Sequence, residues 1–175
     1  MWDADAYKRA LDFAAKAHGA QQVPGSGFPY VVHLTKVAAE VMRACVEDPP
    51  ADATLAVLCA LLHDSIEDAG VSKEQIVTVF GPRIADGVDA LTKRDSVPKA
   101  DRMRDSLDRI LAQPREVAMV KLADRITNLE PAPPHWTPEK RTAYRDEAKQ
   151  ILEALKGRCA PLERRLAEKI SAYAA

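Results

Sequence analysis

Apolar residues recur along this chain at three-and-four spacing, and that periodicity predicts helices almost throughout. Asp3 reads as an N-cap, followed by a stripe of Tyr7, Ala10, Leu11, Ala14, Ala17 and His18 on one helical face. Ala20 to Pro29 (AQQVPGSGFP) is a loop by its Gly, Pro and Ser content. A second stripe, Leu34, Val37, Ala38, Val41, Met42 and Cys45, runs up to the break at Pro49-Pro50. Ala53 to Leu62 (ATLAVLCALL) is apolar nearly all round, as in a helix buried on every side. Ser72 and Gln75 have capping-box spacing and open a short helix through Phe80.

Beyond Gly81-Pro82, Ile84, Val88 and Leu91 mark one helix, and Met103, Leu107, Ile110 and Leu111 the next, stopped at Gln113-Pro114. Val117 to Leu129 (VAMVKLADRITNL) is the second segment apolar on most faces. Pro131 to Pro138 (PAPPHWTP) reads as a rigid linker. Thr137 and Pro138 are the N-cap and first position of a helix carrying Tyr144, Ala148, Ile151, Leu152 and Leu155. Leu162, Leu166, Ile170 and Tyr173 form the last stripe. Alternation at period two is absent. The expectation is an all-α protein, one compact domain of roughly eight to ten helices, more irregular than an up-down bundle.

Length and charge narrow the function. At 175 residues the chain can bury a core without staples, and its 25 basic and 26 acidic residues give a formal charge of −1. That balance argues against nucleic acid as a partner. No apolar run reaches the ~20 residues of a membrane span, and the charged, amphipathic N-terminus is not expected to be a signal peptide. Cys45, Cys59 and Cys159 are odd in number and widely spaced, so no disulfide framework or zinc knuckle is expected, and a reducing cytoplasmic setting fits.

Both segments of greatest apolarity run into ionisable residues. The first continues as His63-Asp64-Ser65-Ile66-Glu67-Asp68, and the second contains Asp124-Arg125 and, four residues after Asp124, Asn128. Unpaired charge in such surroundings costs several kcal/mol per group, so compensation is required. At helical spacing His63 stacks with Glu67, Asp64 with Asp68, and Asp124 with Asn128. A histidine after an apolar run is often just a satisfied core residue, and HDSIED can be read as a helix end entering solvent. Two such helix ends, with His33 just past the Gly-containing loop, favour a metal site instead.

Taken together, FPYVVH (Phe28 to His33), LLHDSIED (Leu61 to Asp68) and KLADRITNL (Lys121 to Leu129) resemble the HD-domain superfamily. The nearest resemblance is to the hydrolase domain of RelA/SpoT-type alarmone enzymes. AAKAHGAQ (Ala14 to Gln21) and FGPRIADGVDALTK (Phe80 to Lys93) extend the likeness over nearly the whole chain. The length leaves no room for a synthetase domain, which points to the small hydrolase-only members, including the metazoan SpoT homologues, and to one domain over residues 1–175.

The resemblance implies that His33, His63, Asp64 and Asp124 bind one divalent ion. Their mixed nitrogen and oxygen donors suit Mn²⁺, Fe²⁺, Co²⁺ or Zn²⁺ alike, and the family favours Mn²⁺. His18 extends an apolar stripe and His135 lies in the Pro-rich linker, so a dinuclear site is not expected. Glu67 and Asp68 are the implied catalytic pair acting on a metal-activated water, with their division of labour left open. Asn128, Lys93, Lys99, Arg102 and Tyr144 are the substrate-side candidates, although the basic residues also read as a solvated face and Tyr144 as a core residue. Tyr30 reads as packing for the metal-bearing loop.

The implied activity is a guanosine-3′,5′-bis(diphosphate) 3′-pyrophosphohydrolase, with a small nucleotide as partner. Alternatives are an HD phosphatase acting on a nucleoside monophosphate or on NADPH, or a nucleotide-sensing HD module without turnover. Two departures stand out. Gln21-Gln22-Val23-Pro24 occupies the place of the family's basic pair, and Leu34 that of a proline after the metal histidine.

Overall fold

A computed structural model describes residues 1–132 and 136–173 and contains ten helices. They are α1 (Ala4–His18), α2 (Val31–Glu47), α3 (Ala53–Leu62), α4 (Ser65–Ala69), α5 (Lys73–Phe80), α6 (Pro82–Leu91), α7 (Arg102–Leu111), α8 (Arg115–Asn128), α9 (Pro138–Ala154) and α10 (Ala160–Ala172). Among the described residues the one non-helical pairing is an isolated antiparallel bridge between Gln22 and Pro29. Among the described residues no helix is long and apolar enough to cross a membrane.

The helix ends follow local chemistry. The Asp3 carboxylate accepts from the backbone N–H groups of Asp5 and Ala6, and Thr137 Oγ1 accepts from Lys140 N. The Ser72/Gln75 capping box is complete in both directions. Each capping group satisfies a helix-end N–H that has no partner within the helix.

The centre of the molecule is α3, with α1, α2, α6 and α8 packed around it; α8 also packs on α2 and α10. All of α3 except Thr54 is buried, as is α8 from Glu116 to Ile126. Each fully buried Leu or Ile here contributes about 1.5–3 kcal/mol, enough to hold the ionisable residues of these segments in place. Glu116 is buried in α8 because one carboxylate oxygen accepts from Asp52 N at 2.8 Å.

The helical reading needs one correction. The chain does not continue as a single helix through His63-Asp64: α3 ends at Leu62, residues 63 and 64 form a turn, and α4 starts at Ser65. No Gly or Pro marks this break. The His63 ring sits against the last turn of α3, with Nδ1 2.9 Å from the carbonyl of Ala60, a class of helix-end carbonyl with no partner of its own. Of the Pro-rich linker, Pro133, Pro134 and His135 lie outside the described residues.

Candidate metal centre and substrate cavity

Four segments converge at one point. The first is the loop before α2. The bridge at Gln22 and Pro29 and the hydrogen bond from Tyr30 N to Gln21 O (2.9 Å) close it into a short hairpin, with Gly25 and Gly27 at positive φ making the turn. The hairpin delivers Tyr30 and, in the first turn of α2, His33. The α3–α4 turn brings His63 and Asp64, α4 brings Glu67 and Asp68, and the last turns of α8 bring Asp124 and Asn128.

His63 is the best defined donor. A carbonyl only accepts, so the bond to Ala60 places a proton on Nδ1 and turns Nε2 inward. Nε2 is buried, with no hydrogen-bond partner among the described residues, although the Asp64 carboxylate lies 2.9 Å away. Such an orphaned nitrogen among carboxylates is what a cation site offers. His33 Nε2 is 3.7 Å from Asp64 Oδ2 and 3.5 Å from Asp124 Oδ1, and Asp124 Oδ1 is 3.7 Å from His63 Nε2. Donors about 2.0–2.2 Å from a shared ion stand roughly 3–3.5 Å apart, so the donor set fits. Donor atoms of His33, His63 and Asp64 all lie within 4.8 Å of one another. Asp124 stands beside both imidazoles, its other contacts being Lys121 Nζ on Oδ2 (3.3 Å) and Asn128 Nδ2 on Oδ1 (2.5 Å).

The electrostatics point the same way. Burial is the largest influence on His63 and disfavours its charged form, yet the carboxylates of Asp64 and Asp124 outweigh it and hold the imidazole well above its usual range. Burial likewise opposes ionisation of Asp124, but Lys121 and the two histidines keep its carboxyl well below the usual range. Two buried carboxylates thus demand positive charge, supplied either by a proton on His63 or by a cation.

Tyr30, read from sequence as packing, does more. Its ring stacks on His18 (centroids 4.8 Å apart) and leans on His33. Its hydroxyl donates to Asp64 Oδ2 at 2.7 Å, with Asp68 Oδ2 at 3.4 Å. Burial, then the charge of Asp64, raise the Asp68 carboxyl above its ordinary value. Glu67 accepts from the backbone N–H of Lys93 at 2.8 Å.

A cavity of about 150 Å³ opens beside these donors, lined by Glu67, Lys93, Lys121, Arg125, Asn128 and Tyr144 among others. Of the substrate-side candidates, Lys93, Asn128 and Tyr144 are there; Lys99 and Arg102 are not part of the lining. Arg102 is instead bound to the carbonyls of Val97 and Asp95 and to the Asp95 carboxylate. Sequence reasoning did not single out Lys121, Arg125 or Glu147 for the site. Arg125 is 3% exposed, pairs with Glu147, and lies 4.5 Å from the Tyr144 ring centroid. The available signal was two cations, at positions 121 and 125, inside the mostly apolar run from Val117 to Ile126.

Asn128 and Tyr144 also line a second, larger cavity of about 480 Å³ walled by Val23, Pro24, Phe28, Val32 and Trp136. The hairpin that departs from the family's basic pair therefore lies beside the candidate metal centre.

An all-helical fold in which two imidazoles and two carboxylates meet at a helix break belongs to a class of protein with a donor set able to hold a divalent ion. The chain belongs to the HD domain family, which matches residues 10–159. It is 31% identical to the guanosine-3′,5′-bis(diphosphate) 3′-pyrophosphohydrolase of Drosophila melanogaster, over 93% of this chain and 91% of that protein. It is 35% identical to the GTP pyrophosphokinase of Brucella ovis over 86% of this chain but 20% of that longer protein. The solved structure of a metazoan SpoT orthologue, described as hydrolysing ppGpp and playing a role in starvation responses, matches with a TM-score of 0.84 and 30% identity. That match covers 98% of this chain and 97% of the other. A Listeria monocytogenes protein with a TM-score of 0.65 and 19% identity shares the fold.

Proposed function

We propose that this protein is a metal-dependent phosphohydrolase that removes the 3′-diphosphate of guanosine 3′,5′-bis(diphosphate) as pyrophosphate. The observation that carries the reading is the orphaned His63 Nε2 among His33, Asp64 and Asp124, facing a cavity with three cationic side chains. The activity named for the Drosophila relative, matched over nearly its whole length, supplies the substrate.

His33, His63, Asp64 and Asp124 would hold the ion, with Mn²⁺ the favoured occupant. A divalent ion held there would acidify water at the site, supplying a hydroxide-like nucleophile near neutral pH. Lys93, Lys121 and Arg125 offset the charge of the diphosphate, and Asn128 and Tyr144 form the boundary where phosphate gives way to nucleoside. Glu67 faces the cavity and takes the proton of the attacking water. Asp68, beside Glu67 on α4 and 3.4 Å from the Tyr30 hydroxyl, is the proposed source of a proton for the leaving oxygen. Water oxygen bonds to the phosphorus carried on O3′, the P–O3′ bond breaks, and O3′ leaves protonated. Lys99 and Arg102 have no part in this reading. The three cysteines are free, which fits work in the reducing cytoplasm.

Purified protein with Mn²⁺ should release pyrophosphate from the guanosine substrate, and His63→Ala or Asp64→Ala should abolish release. A folded, Mn²⁺-loaded protein that leaves this nucleotide intact removes the substrate assignment. Orthophosphate released from a nucleoside monophosphate or from NADPH moves the activity to the alternative phosphatase.

A further inference from the structure

The 480 Å³ cavity is mostly apolar, with Ser26, His33, Thr127 and Asn128 also in its wall, and among the described residues one oppositely charged pair lines it: Lys36 Nζ lies 2.9 Å from both carboxylate oxygens of Glu130. The two side chains, from α2 and from just past α8, are each about half exposed. A pair this exposed adds little to stability, and each partner keeps hydrogen-bonding capacity beyond the pair: a carboxylate has about four acceptor positions and an ammonium three donors. The cavity thus presents two acceptors beside a donor, in a wall that also holds Val23, Pro24, Phe28 and Trp136.

We infer that Glu130 and Lys36 read the Watson–Crick edge of a guanine base and set the base specificity of this enzyme. Guanine offers two adjacent donors, N1–H and the N2 amino group, next to the acceptor O6. Glu130 accepts from the donors and Lys36 donates to O6. Adenine places an acceptor at N1 and a donor at N6, which inverts the pattern. The apolar walls grip the faces of the ring without discriminating, so Val23-Pro24 contributes area while the pair contributes identity. The inference rests on the proposed phosphate hydrolysis only in that phosphates in the smaller cavity direct the nucleoside past Asn128 and Tyr144 into the larger one.

The test uses the full-length protein in two assays. In the first, kcat and KM are measured for guanosine and adenosine 3′,5′-bis(diphosphate) with the unaltered protein, Glu130→Gln and Lys36→Met. In the second, GDP and ADP binding is measured by calorimetry. Removing a hydrogen bond to a charged group changes affinity roughly ten- to hundredfold. Glu130→Gln should cost the guanine compound that much, mainly in KM, and narrow the gap to adenine, because a glutamine amide both accepts and donates. Lys36→Met should weaken guanine binding and leave adenine unaffected. An unchanged guanine-to-adenine ratio in both variants overturns the inference. If neither nucleotide is hydrolysed, the reaction assignment falls and calorimetry decides alone: a GDP preference lost in Glu130→Gln sustains the inference, and equal GDP and ADP binding by the unaltered protein overturns it.

Discussion

Gly87 sits in α6 where that helix presses on α3 and α8. A Cβ at this position meets Cys59 Sγ at 2.7 Å, Val117 Cγ2 at 3.2 Å and Leu55 Cδ1 at 3.9 Å. Ordinary carbon contacts lie at about 3.5–4.0 Å, so the first is too close by roughly 1 Å and the second by a few tenths. Gly87→Ala gains about 0.8–1.0 kcal/mol of helix propensity and incurs about 1–3 kcal/mol of overpacking. The expected net is a loss of about 1 kcal/mol, seen as a fall in Tm of roughly 2–4 °C.

Cys59 lies one turn before His63, so a displaced α3 also moves this proposed metal donor, and Mn²⁺ binding should weaken in the same variant. Cys59→Ala removes the sulfur that stands in the way. In the double variant the propensity gain should emerge, with a coupling of about 1 kcal/mol or more between the two sites. Urea unfolding of the four proteins measures stability and calorimetry measures Mn²⁺ affinity. If Gly87→Ala alone stabilises the protein by the full propensity gain, α6 does not pack on α3 as described.

Tyr30→Phe removes the hydroxyl that orients Asp64 while keeping the ring on His18, and should lower Mn²⁺ affinity about 10–100-fold, read by calorimetric titration at a fixed pH. Protonation should shape stability in the chelated protein. His63 is raised in the folded state, so its contribution is complete below the unfolded pKa of about 6.5 and is lost as pH rises through the higher folded value. Asp64 and Asp124 are lowered, so theirs is present above the ordinary carboxylate range and is lost in acid. Scanning calorimetry in EDTA should therefore show Tm falling on the alkaline side, and the Tm gain on adding Mn²⁺ should be larger at pH 8 than at pH 6, because the ion displaces a proton. A gain independent of pH would separate the ion from His63.

Much of this was legible in the sequence because the physics involved is local. The stripe that ends at His18, the capping box at Ser72 and the all-round apolarity of Ala53 to Leu62 each specify their helix without help from elsewhere. The convergence of His33, His63, Asp64 and Asp124 was signalled by charge placed where charge is costly, together with the family motifs. The missing parts are contacts between distant segments. The stop at Leu62 comes with an imidazole bound to a carbonyl, the second role of Tyr30 depends on a hydroxyl reaching Asp64, and Lys36 meets Glu130 only after α2 and α8 have packed. Lys99 and Arg102 were attractive as charges in a basic stretch, but charge alone does not say which way a loop faces, and Asp95 holds Arg102 where it is.

The centre draws on the start of α2, the end of α3 and the end of α8, stretches that lie far apart along the chain. A polypeptide emerging from the ribosome has both imidazoles long before it has Asp124. On the proposed reading, coordination by all four residues waits until α8 has been made and has docked. Capture of the cation becomes a late checkpoint, a readout that the long-range architecture has closed rather than a seed around which it nucleates.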